Sequence, residues 1–212
     1  MKIQKPKVNW NALLEKKQTA EELLTKGELE QIENRKWQGK EAVTLEKIEI
    51  NQCYFQDGIY AESSWKQVSF VDCIFENCDL SNSDFSDSNF VRVQFKNCKL
   101  TGCNFSNTTF YHVSMQECIA PYANFAMAVW KTVEVNHCNF QSSSMQEMKL
   151  ENIVLENTNL TLVQFFHTRL SGLNLTTCQI EGIVVEIADL KGAIVTEYQA
   201  MLLSKLLGIV IA

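Results

Sequence analysis

The sequence predicts an all-β solenoid, a coil of short parallel strands, because two side-chain patterns repeat with a period of five. A bulky apolar residue lies at every fifth position from Leu45 to Val195, over 31 consecutive pentads in which Ala120 is the one small residue. A second, generally smaller side chain precedes each of these by two positions. Helices repeat near 3.6 residues and flat strands near two, so neither explains the pattern. A fixed short period is typical of solenoids, whose repeats pack on their neighbours.

The eight cysteines indicate how many pentads close one coil. All of them lie two positions before the fifth-position residue of a pentad, and Cys78, Cys98, Cys118 and Cys138 follow one another at intervals of twenty. A square coil with four sides of five residues would stack these thiols. The 31 pentads then give about eight coils and a rod of about 37 Å at the usual strand spacing. The corner positions carry turn-forming residues, mostly Asn, Asp and Gly.

Individual pentads carry a family resemblance. The segments Cys78–Asn82, Ser83–Asp87 and Ala188–Gly192 match the loose consensus A-(D/N)-L-x-x, and the chain therefore resembles the pentapeptide-repeat family. The resemblance covers about three quarters of the chain. It implies a right-handed quadrilateral parallel β-helix, and little about function by itself.

The sequence divides into three segments. Residues 1–42 are expected to form an N-terminal helical cap, because Thr19 to Glu22 has a capping-box pattern and Gly27 suits a helix end; a partner-binding arm is the alternative. Trp37 is a candidate for an imperfect first coil. Residues 43–195 form the β-helix. In residues 196–212 we expect a helix from Thr196 to Leu207, ended by Gly208, and then a short strand over Ile209 to Ala212.

The C-terminal segment is predicted to join two copies of the chain. Its helix is apolar around nearly its whole circumference, and such a helix is buried on more than one side. One side can close the solenoid core, and a two-fold dimer is the economical way to cover the other. The expected dimer-interface residues are Tyr198, Met201, Leu202, Leu203, Leu206, Leu207, Ile209 and Ile211.

Composition limits the classes of function. The first ten residues lack the apolar core of a secretory signal, and no window approaches 18 apolar residues, so we expect a cytoplasmic protein with no membrane span. The cysteines are interpreted as buried thiols in a reducing compartment; disulfides and, more remotely, a metal site are the alternatives. The sequence contains neither a nucleophile–base pair nor a phosphate-binding loop. We therefore predict no enzymatic activity, no catalytic or metal-ligating residues and no cofactor.

The charge distribution argues against direct binding of nucleic acid. Residues 43–195 contain 17 acidic and 9 basic residues, a net charge of −8, and the inward positions are uncharged. A negative rod repels DNA but can bind a positively charged protein surface. We predict the contacts at the densest run of outward acidic side chains, which comprises Asp72, Glu76, Asp79, Asp84 and Asp87.

The tail resembles a narrower group. The segments Asp189–Gly192, Tyr198–Ala200 and Leu206–Ile209 are similar to the C-terminus of the Qnr group of quinolone-resistance proteins. The resemblance implies a C-terminal homodimer that mimics B-DNA, binds DNA gyrase or topoisomerase IV, and inhibits the enzyme or reduces susceptibility to quinolones. The unbroken pentads leave no room for the bulging loops of some Qnr proteins, which makes the chain more similar to the loop-free MfpA type.

Two further expectations remain. A protein-interaction scaffold, or an immunity protein against a gyrase-directed toxin, would use the same rod with another partner.

We also expect a kink or an altered turn at Cys118–Tyr122, because Ala120 underfills an inward position and Pro121 has no N–H group for a strand ladder. Tyr122 and the nearby Tyr111 should lie on the surface.

Overall fold

The structure is a computed structural model that describes residues 2–13 and 31–210. In this part of the chain, eleven β-strands form one sheet that winds around a core of side chains. The strands are β1 (Gln31–Glu33), β2 (Lys36–Trp37), β3 (Glu49–Asn51), β4 (Tyr54–Gln56), β5 (Ser69–Val71), β6 (Ile74–Glu76), β7 (Asn89–Val91), β8 (Gln94–Lys96), β9 (Thr109–Gln116), β10 (Val129–Asn136) and β11 (Lys149–Glu156). They are followed by a 3₁₀ helix at Ile187–Leu190, helix α1 (Glu197–Ser204) and a 3₁₀ turn at Lys205–Leu207.

All strand pairs are parallel and join one coil to the next, which confirms the predicted solenoid. Phe70 pairs with Phe90, and Phe90 with Phe110, so one coil takes twenty residues. The stack from β1 to β11 makes about six turns, fewer than the eight expected for the β-helix. The last coils are joined by single bridges such as Asn159–Gln179, and they contain a 3₁₀ helix at Ile187–Leu190.

The corners of the coil have the left-handed backbone that the Asn, Asp and Gly pattern predicted. Asn77 has a φ of 56°, and Gly102, at the same place in a later pentad, has 66°. Thr132 takes a φ of 60°, although β-branched residues rarely adopt this conformation. Pairing with the coils above and below imposes the turn even where the local residue disfavours it.

The bulky inward residues stack as columns of parallel rings. The ring of Phe105 lies 5.0 Å from that of Phe85 on one side and 5.0 Å from that of Phe125 on the other. The interplanar angles are 6° and 9°. The spacing of the rings is therefore close to the usual distance of about 4.8 Å between strands, because the backbone ladder sets it.

The smaller inward residues form a second kind of column, made of hydrogen bonds. Ser88 donates its hydroxyl to the Trp65 carbonyl at 2.7 Å, and Thr108 to the Phe85 carbonyl at 2.9 Å. The Cys103 thiol points at the Leu80 carbonyl in the same way, at 2.9 Å. These three groups thus bind a carbonyl of the preceding coil, which removes the cost of burying them unpaired. The buried hydroxyl of Ser143 is an exception without a hydrogen-bond partner in the described residues. All eight cysteines are buried free thiols, and burial raises the pKa of Cys103 to about 12.

The β-sheet begins before the expected boundary at residue 43. Ile32 pairs with Ile50 and Trp37 with Phe55, so the first coil has two residues fewer than the later ones. Trp37 is buried, and its ring stacks on Phe55 at 5.4 Å, as expected for an imperfect first coil. The expected capping helix around Thr19 to Gly27 lies outside the described residues.

The kink predicted at Pro121 is wrong. Tyr122 has a φ of 61°, like other corners, and the Pro121 carbonyl accepts the normal inter-coil bond from the Gly102 N–H group at 3.0 Å. In other coils the N–H group at this position binds a side chain and not the ladder, as when Gln141 donates to Asn139 Oδ1 at 3.0 Å. Proline therefore removes no ladder bond here. Tyr122 and Tyr111 are exposed, as expected.

The C-terminal segment closes the last coil. Helix α1 starts after Thr196, and the Gly208 corner with a φ of 71° follows the 3₁₀ turn, so the predicted helix and its end are confirmed. Ile209 and Val210 form no strand, contrary to expectation, and Ile211 lies outside the described residues. None of the helices in residues 2–13 and 31–210 is long and apolar enough to cross a membrane.

The ring columns predict the effect of a core truncation. Phe105→Ala removes a fully buried ring with two stacked neighbours, and we expect it to lower the free energy of unfolding by about 3–5 kcal/mol. The control Phe166→Ala removes a ring that is 38% exposed, and should cost less than about 1 kcal/mol. Equal losses in urea-induced unfolding would contradict the assigned register.

Candidate functional site

The five predicted contact carboxylates form a ring around the rod and not a line along it. One coil takes twenty residues, so the run from Asp72 to Asp87 passes almost once around the solenoid. Glu76 lies in β6, whereas Asp79 and Asp84 form single bridges on the following sides. A line of charges along the rod needs acidic residues twenty positions apart, and the sequence places none in the coil that follows this ring.

Four of the five carboxylates are paired with basic side chains of a neighbouring coil. In three pairs the basic residue lies twenty positions after the carboxylate in the sequence. In the fourth it lies eighteen positions before it. The nitrogen–oxygen distances are 2.7 Å for Asp72–Arg92, 2.8 Å for Glu76–Lys96, 3.4 Å for Asp79–Lys99 and 3.2 Å for Asp84–Lys66. Asp87 is exposed and has no ion pair within residues 2–13 and 31–210. Most of the predicted acidic surface is therefore neutralised locally.

Asp72 differs from the others because it is buried, with only 7% of its side chain exposed. Arg92 donates two hydrogen bonds to its carboxylate, each 2.7 Å long. The backbone N–H group of Lys7 donates a third at 2.9 Å. Burial alone would raise the pKa of Asp72, but these donors and the charge of Arg92 outweigh it and lower the pKa below 3.8. This residue is not available to a partner in the described conformation.

The other paired carboxylates also have structural roles. Lys96 and the Tyr54 hydroxyl both donate to Glu76 and lower its pKa. Asp84 accepts the Ser86 N–H group at 3.0 Å, an Asx turn that holds the corner. Asp79 accepts the Ser81 N–H group at 3.1 Å in the same way. An asparagine could keep both turns while removing the charge.

The predicted dimer-interface residues divide into a buried side and an exposed side. Leu203 packs on the core, and Leu202 is half-buried. The remaining described members are exposed and apolar, together with the neighbouring Val210: Tyr198, Met201, Leu206, Leu207 and Ile209. Leu203 is thus a capping residue, and the exposed set forms an apolar surface at this end of the rod, which we call the end surface.

Gln199 attaches the helix to the solenoid, a role that the sequence analysis missed. Its side-chain amide donates to the carbonyls of Leu175 and Cys178, both at 2.8 Å. Its oxygen accepts the Thr196 N–H group, while Thr196 caps the Gln199 N–H group. The Thr-x-x-Gln pattern of a capping box was visible in the sequence and marks Gln199 as a residue of the helix start.

Within residues 2–13 and 31–210, one group of side chains has the composition of a metal site. His167, Glu186 and Asp189 bring their ligand atoms within 4.8 Å of one another. Asp189 lies in the 3₁₀ helix at Ile187–Leu190, and Glu186 directly precedes this helix. His167 and Glu186 are exposed, and exposed groups of this kind commonly hold no ion. The eight inward thiols are separate from this cluster.

The middle of the solenoid matches a known type of sequence repeat. Residues 68–139 match the family model described as a pentapeptide repeat region, and the same period continues on both sides of this stretch. This stretch of the chain therefore consists of pentapeptide repeats, as the consensus pentads predicted. No curated protein sequence matches the chain.

Solved structures of the same kind are similar at low sequence identity. A trypsin-treated variant of QnrB1, described as a plasmid-mediated fluoroquinolone resistance protein, is 16% identical, with a TM-score of 0.47; the match covers 82% of this chain and 99% of that one. HetL, a pentapeptide-repeat protein involved in heterocyst differentiation regulation from the cyanobacterium Nostoc sp. strain PCC 7120, is 12% identical, with a TM-score of 0.40. That match covers 79% of this chain and 90% of HetL. Membership of the Qnr group stays a prediction from the tail residues.

The contrast between two corner carboxylates predicts their contributions to stability. Asp72→Asn weakens three hydrogen bonds to a buried charge and should lower the free energy of unfolding by about 2 kcal/mol. Asp87→Asn, at a matched left-handed corner with a φ of 57°, should change it by less than about 0.5 kcal/mol. Chemical denaturation of both variants at neutral pH measures the difference.

The same pair predicts a pH dependence. The pKa of Asp72 is lower in the folded protein than its ordinary value of 3.8, so its contribution is complete above 3.8 and is lost as the pH falls through the lowered value. The gap between wild type and Asp72→Asn should therefore close in that acidic window. A gap that stays constant down to complete acid unfolding would contradict this account of Asp72.

Proposed function

We propose that this protein is a non-enzymatic rod that binds a type II topoisomerase, DNA gyrase or topoisomerase IV, in place of duplex DNA. The observation that carries the proposal is the distribution of charge between the inside and the outside of the solenoid. The interior is filled by stacked apolar side chains, and the 17 acidic and 9 basic residues of positions 43–195 give the rod a net charge of −8. A function is therefore expected at the outer surface.

Net charge supports a cationic partner surface even though several carboxylates are paired. The pairs cancel charge locally, but the excess of acidic residues remains on the rod. Exposed carboxylates without an ion pair in the described residues include Glu62, Asp87, Glu117 and Glu147, on several sides of the coil. Attraction to a DNA-binding surface would be long-range and would weaken with salt, because exposed charges are screened within about 8 Å at physiological ionic strength.

The end surface supports a dimer. A row of exposed apolar side chains on a helix that already caps the core is costly in water, and a second copy related by a two-fold axis would cover it. Two rods joined end to end would carry a net charge of −16 over their repeats, twice that of one chain. The result would be a longer acidic rod that matches a longer stretch of duplex.

A scaffold function is the second candidate, and the ion pairs favour it. Pairs such as Glu76–Lys96 hold adjacent coils together and reduce the resemblance to an uninterrupted phosphate ladder. A scaffold, or an immunity protein against a gyrase-directed toxin, would need shape and local contacts more than continuous charge. Inhibition of purified topoisomerase distinguishes the two.

The topoisomerase proposal predicts inhibition that depends on the acidic ring. The variant Asp79→Asn, Asp84→Asn, Asp87→Asn keeps side-chain acceptors for the corner turns and removes three charges. If each contact contributes about 0.5 kcal/mol, the concentration that half-inhibits gyrase supercoiling should rise about tenfold.

A matched control removes the same charge from another coil. Glu147→Gln, Glu151→Gln, Glu156→Gln should change the inhibitory concentration less, if the contacts lie at the ring. Equal effects of both triple variants would assign the interaction to net charge alone. Wild-type protein that leaves gyrase and topoisomerase IV unaffected, with and without quinolone, would refute the proposal and favour the scaffold.

If the end surface forms the dimer contact, charged substitutions on it should separate the two copies. Met201→Asp with Leu207→Asp changes two side chains that are 42% and 58% exposed in the single chain, so the fold should survive. Charges placed in a desolvated contact should give monomers, measured by sedimentation velocity at micromolar concentration. The control Ile119→Asp with Met127→Asp changes side chains that are 47% and 52% exposed on the solenoid sides, and should remain dimeric. A monomeric wild type would contradict the dimer.

A further inference from the structure

Residues 2–13 lie along the outside of the solenoid and cross its coils. The Gln4 N–H group donates to His112 Nδ1 at 3.3 Å, and the Lys7 N–H group donates to Asp72 Oδ1 at 2.9 Å. The Trp10 ring then packs edge-on against Tyr54, with 5.3 Å between ring centroids. We call residues 2–13 the strap, and the side chains of Tyr54, Asp72, Arg92 and His112 the seat.

The seat is a line along the rod axis, and its spacing fits an extended chain. Asp72, Arg92 and His112 occupy the same corner of three successive coils, so Asp72 and His112 are two coils, or about 9.6 Å, apart. A polyproline II segment rises about 3.1 Å per residue and has three residues per turn. Residues three apart, such as Gln4 and Lys7, therefore present their N–H groups on the same side about 9.3 Å apart.

The strap has the sequence for this conformation. Pro6 holds its own φ near that of polyproline II and disfavours a helical conformation at the preceding residue. Pro6 lies between the donors Gln4 and Lys7, so the N–H group that it lacks is not one of those that bind the seat. The apolar residues Ile3, Pro6 and Val8 are half-buried, whereas the lysines of the strap are exposed. A turn closed by the Ala12 N–H group on the Asn9 carbonyl ends the segment.

The residues of the seat are also unusually buried for outward positions. Asp72, His112 and Tyr54 lie at outward positions, yet only 5%, 8% and 8% of the whole residue, backbone included, is exposed. At the position of Tyr54, the following coils carry half-buried residues such as Ile74 and Gln94. The seat contains two acceptors of N–H groups, an imidazole nitrogen and a carboxylate, and beside them a tyrosine ring. The positive charge of Lys7 stabilises the ionised carboxylate of Asp72.

We propose that the seat is a binding surface for an extended, basic peptide segment, which the strap occupies within the same chain and from which it can be displaced. The seat would recognise three features of a peptide: a backbone N–H donor, a second N–H donor on a lysine three residues later, and an aromatic ring three residues after the lysine. This inference does not depend on the topoisomerase proposal. A partner segment with the same pattern would compete with the strap for the seat.

The first test measures docking of the strap in the full-length protein by amide hydrogen exchange. In wild type, the Gln4 amide should exchange at least about tenfold more slowly than in the variant Lys7→Pro, which lacks the central donor. Lys5→Pro is the matched control, because it also removes one lysine and one N–H group and favours the same extended backbone. It keeps the N–H donors of Gln4 and Lys7. It should keep the protection of Gln4. Unprotected Gln4 in wild type, or equal loss in both variants, would overturn the proposal.

The second test asks whether the seat binds the segment from outside. A fluorescent peptide of residues 2–13 is titrated into wild type and into Lys7→Pro. It should bind the variant at least about tenfold more tightly, because the strap no longer occupies the seat. A peptide carrying Lys7→Pro should not bind, and Asp72→Asn in the protein should weaken binding whereas Asp87→Asn should not. Equal affinity for the two proteins, or no binding to either, would overturn the proposal.

Discussion

Stacking at an interval of twenty residues is the constraint on which the rest of this structure depends. It places every side chain against the residue one coil before and one coil after it, at about the distance between β-strands. Inside the rod, Phe85, Phe105 and Phe125 therefore stack ring on ring. The hydroxyl of Ser88 meets a carbonyl of the preceding coil for the same reason. Even Thr132 accepts a left-handed corner because its neighbours on both sides fix the backbone.

The same interval organises the surface charges. In Asp72–Arg92, Glu76–Lys96 and Asp79–Lys99, the acidic and the basic residue are stacked, and the pairs tie adjacent coils together. A run of acidic residues in the sequence thus becomes a partly neutralised ring. Binding in place of DNA would then depend on the net charge of the whole rod and on the carboxylates left unpaired. This makes the comparison between charge variants in different coils informative.

Features specific to this chain occur where the regular coil is interrupted or covered. The first coil is two residues shorter, the 3₁₀ helix at Ile187–Leu190 breaks the last, and Gln199 fastens the capping helix to two carbonyls. The strap covers one corner across several coils. A regular solenoid offers similar surfaces on every coil, so contacts that recognise one partner are expected at such places.

The sequence by itself determined the solenoid, the length of its coil, the inward residues and the capping helix, because all of these follow from local periodicity and from end signals such as Gly208. It did not determine the surroundings of the outward residues. Asp72 looked like an exposed acid, and only the folded chain brings Arg92 and Lys7 to it. Pro121 looked disruptive, because the sequence does not show which N–H groups the ladder leaves unused. The strap depends on contacts between residues far apart in the sequence, such as Gln4 and His112, which are 108 positions apart. Such contacts follow from the tertiary structure, since no periodic pattern in the sequence encodes them.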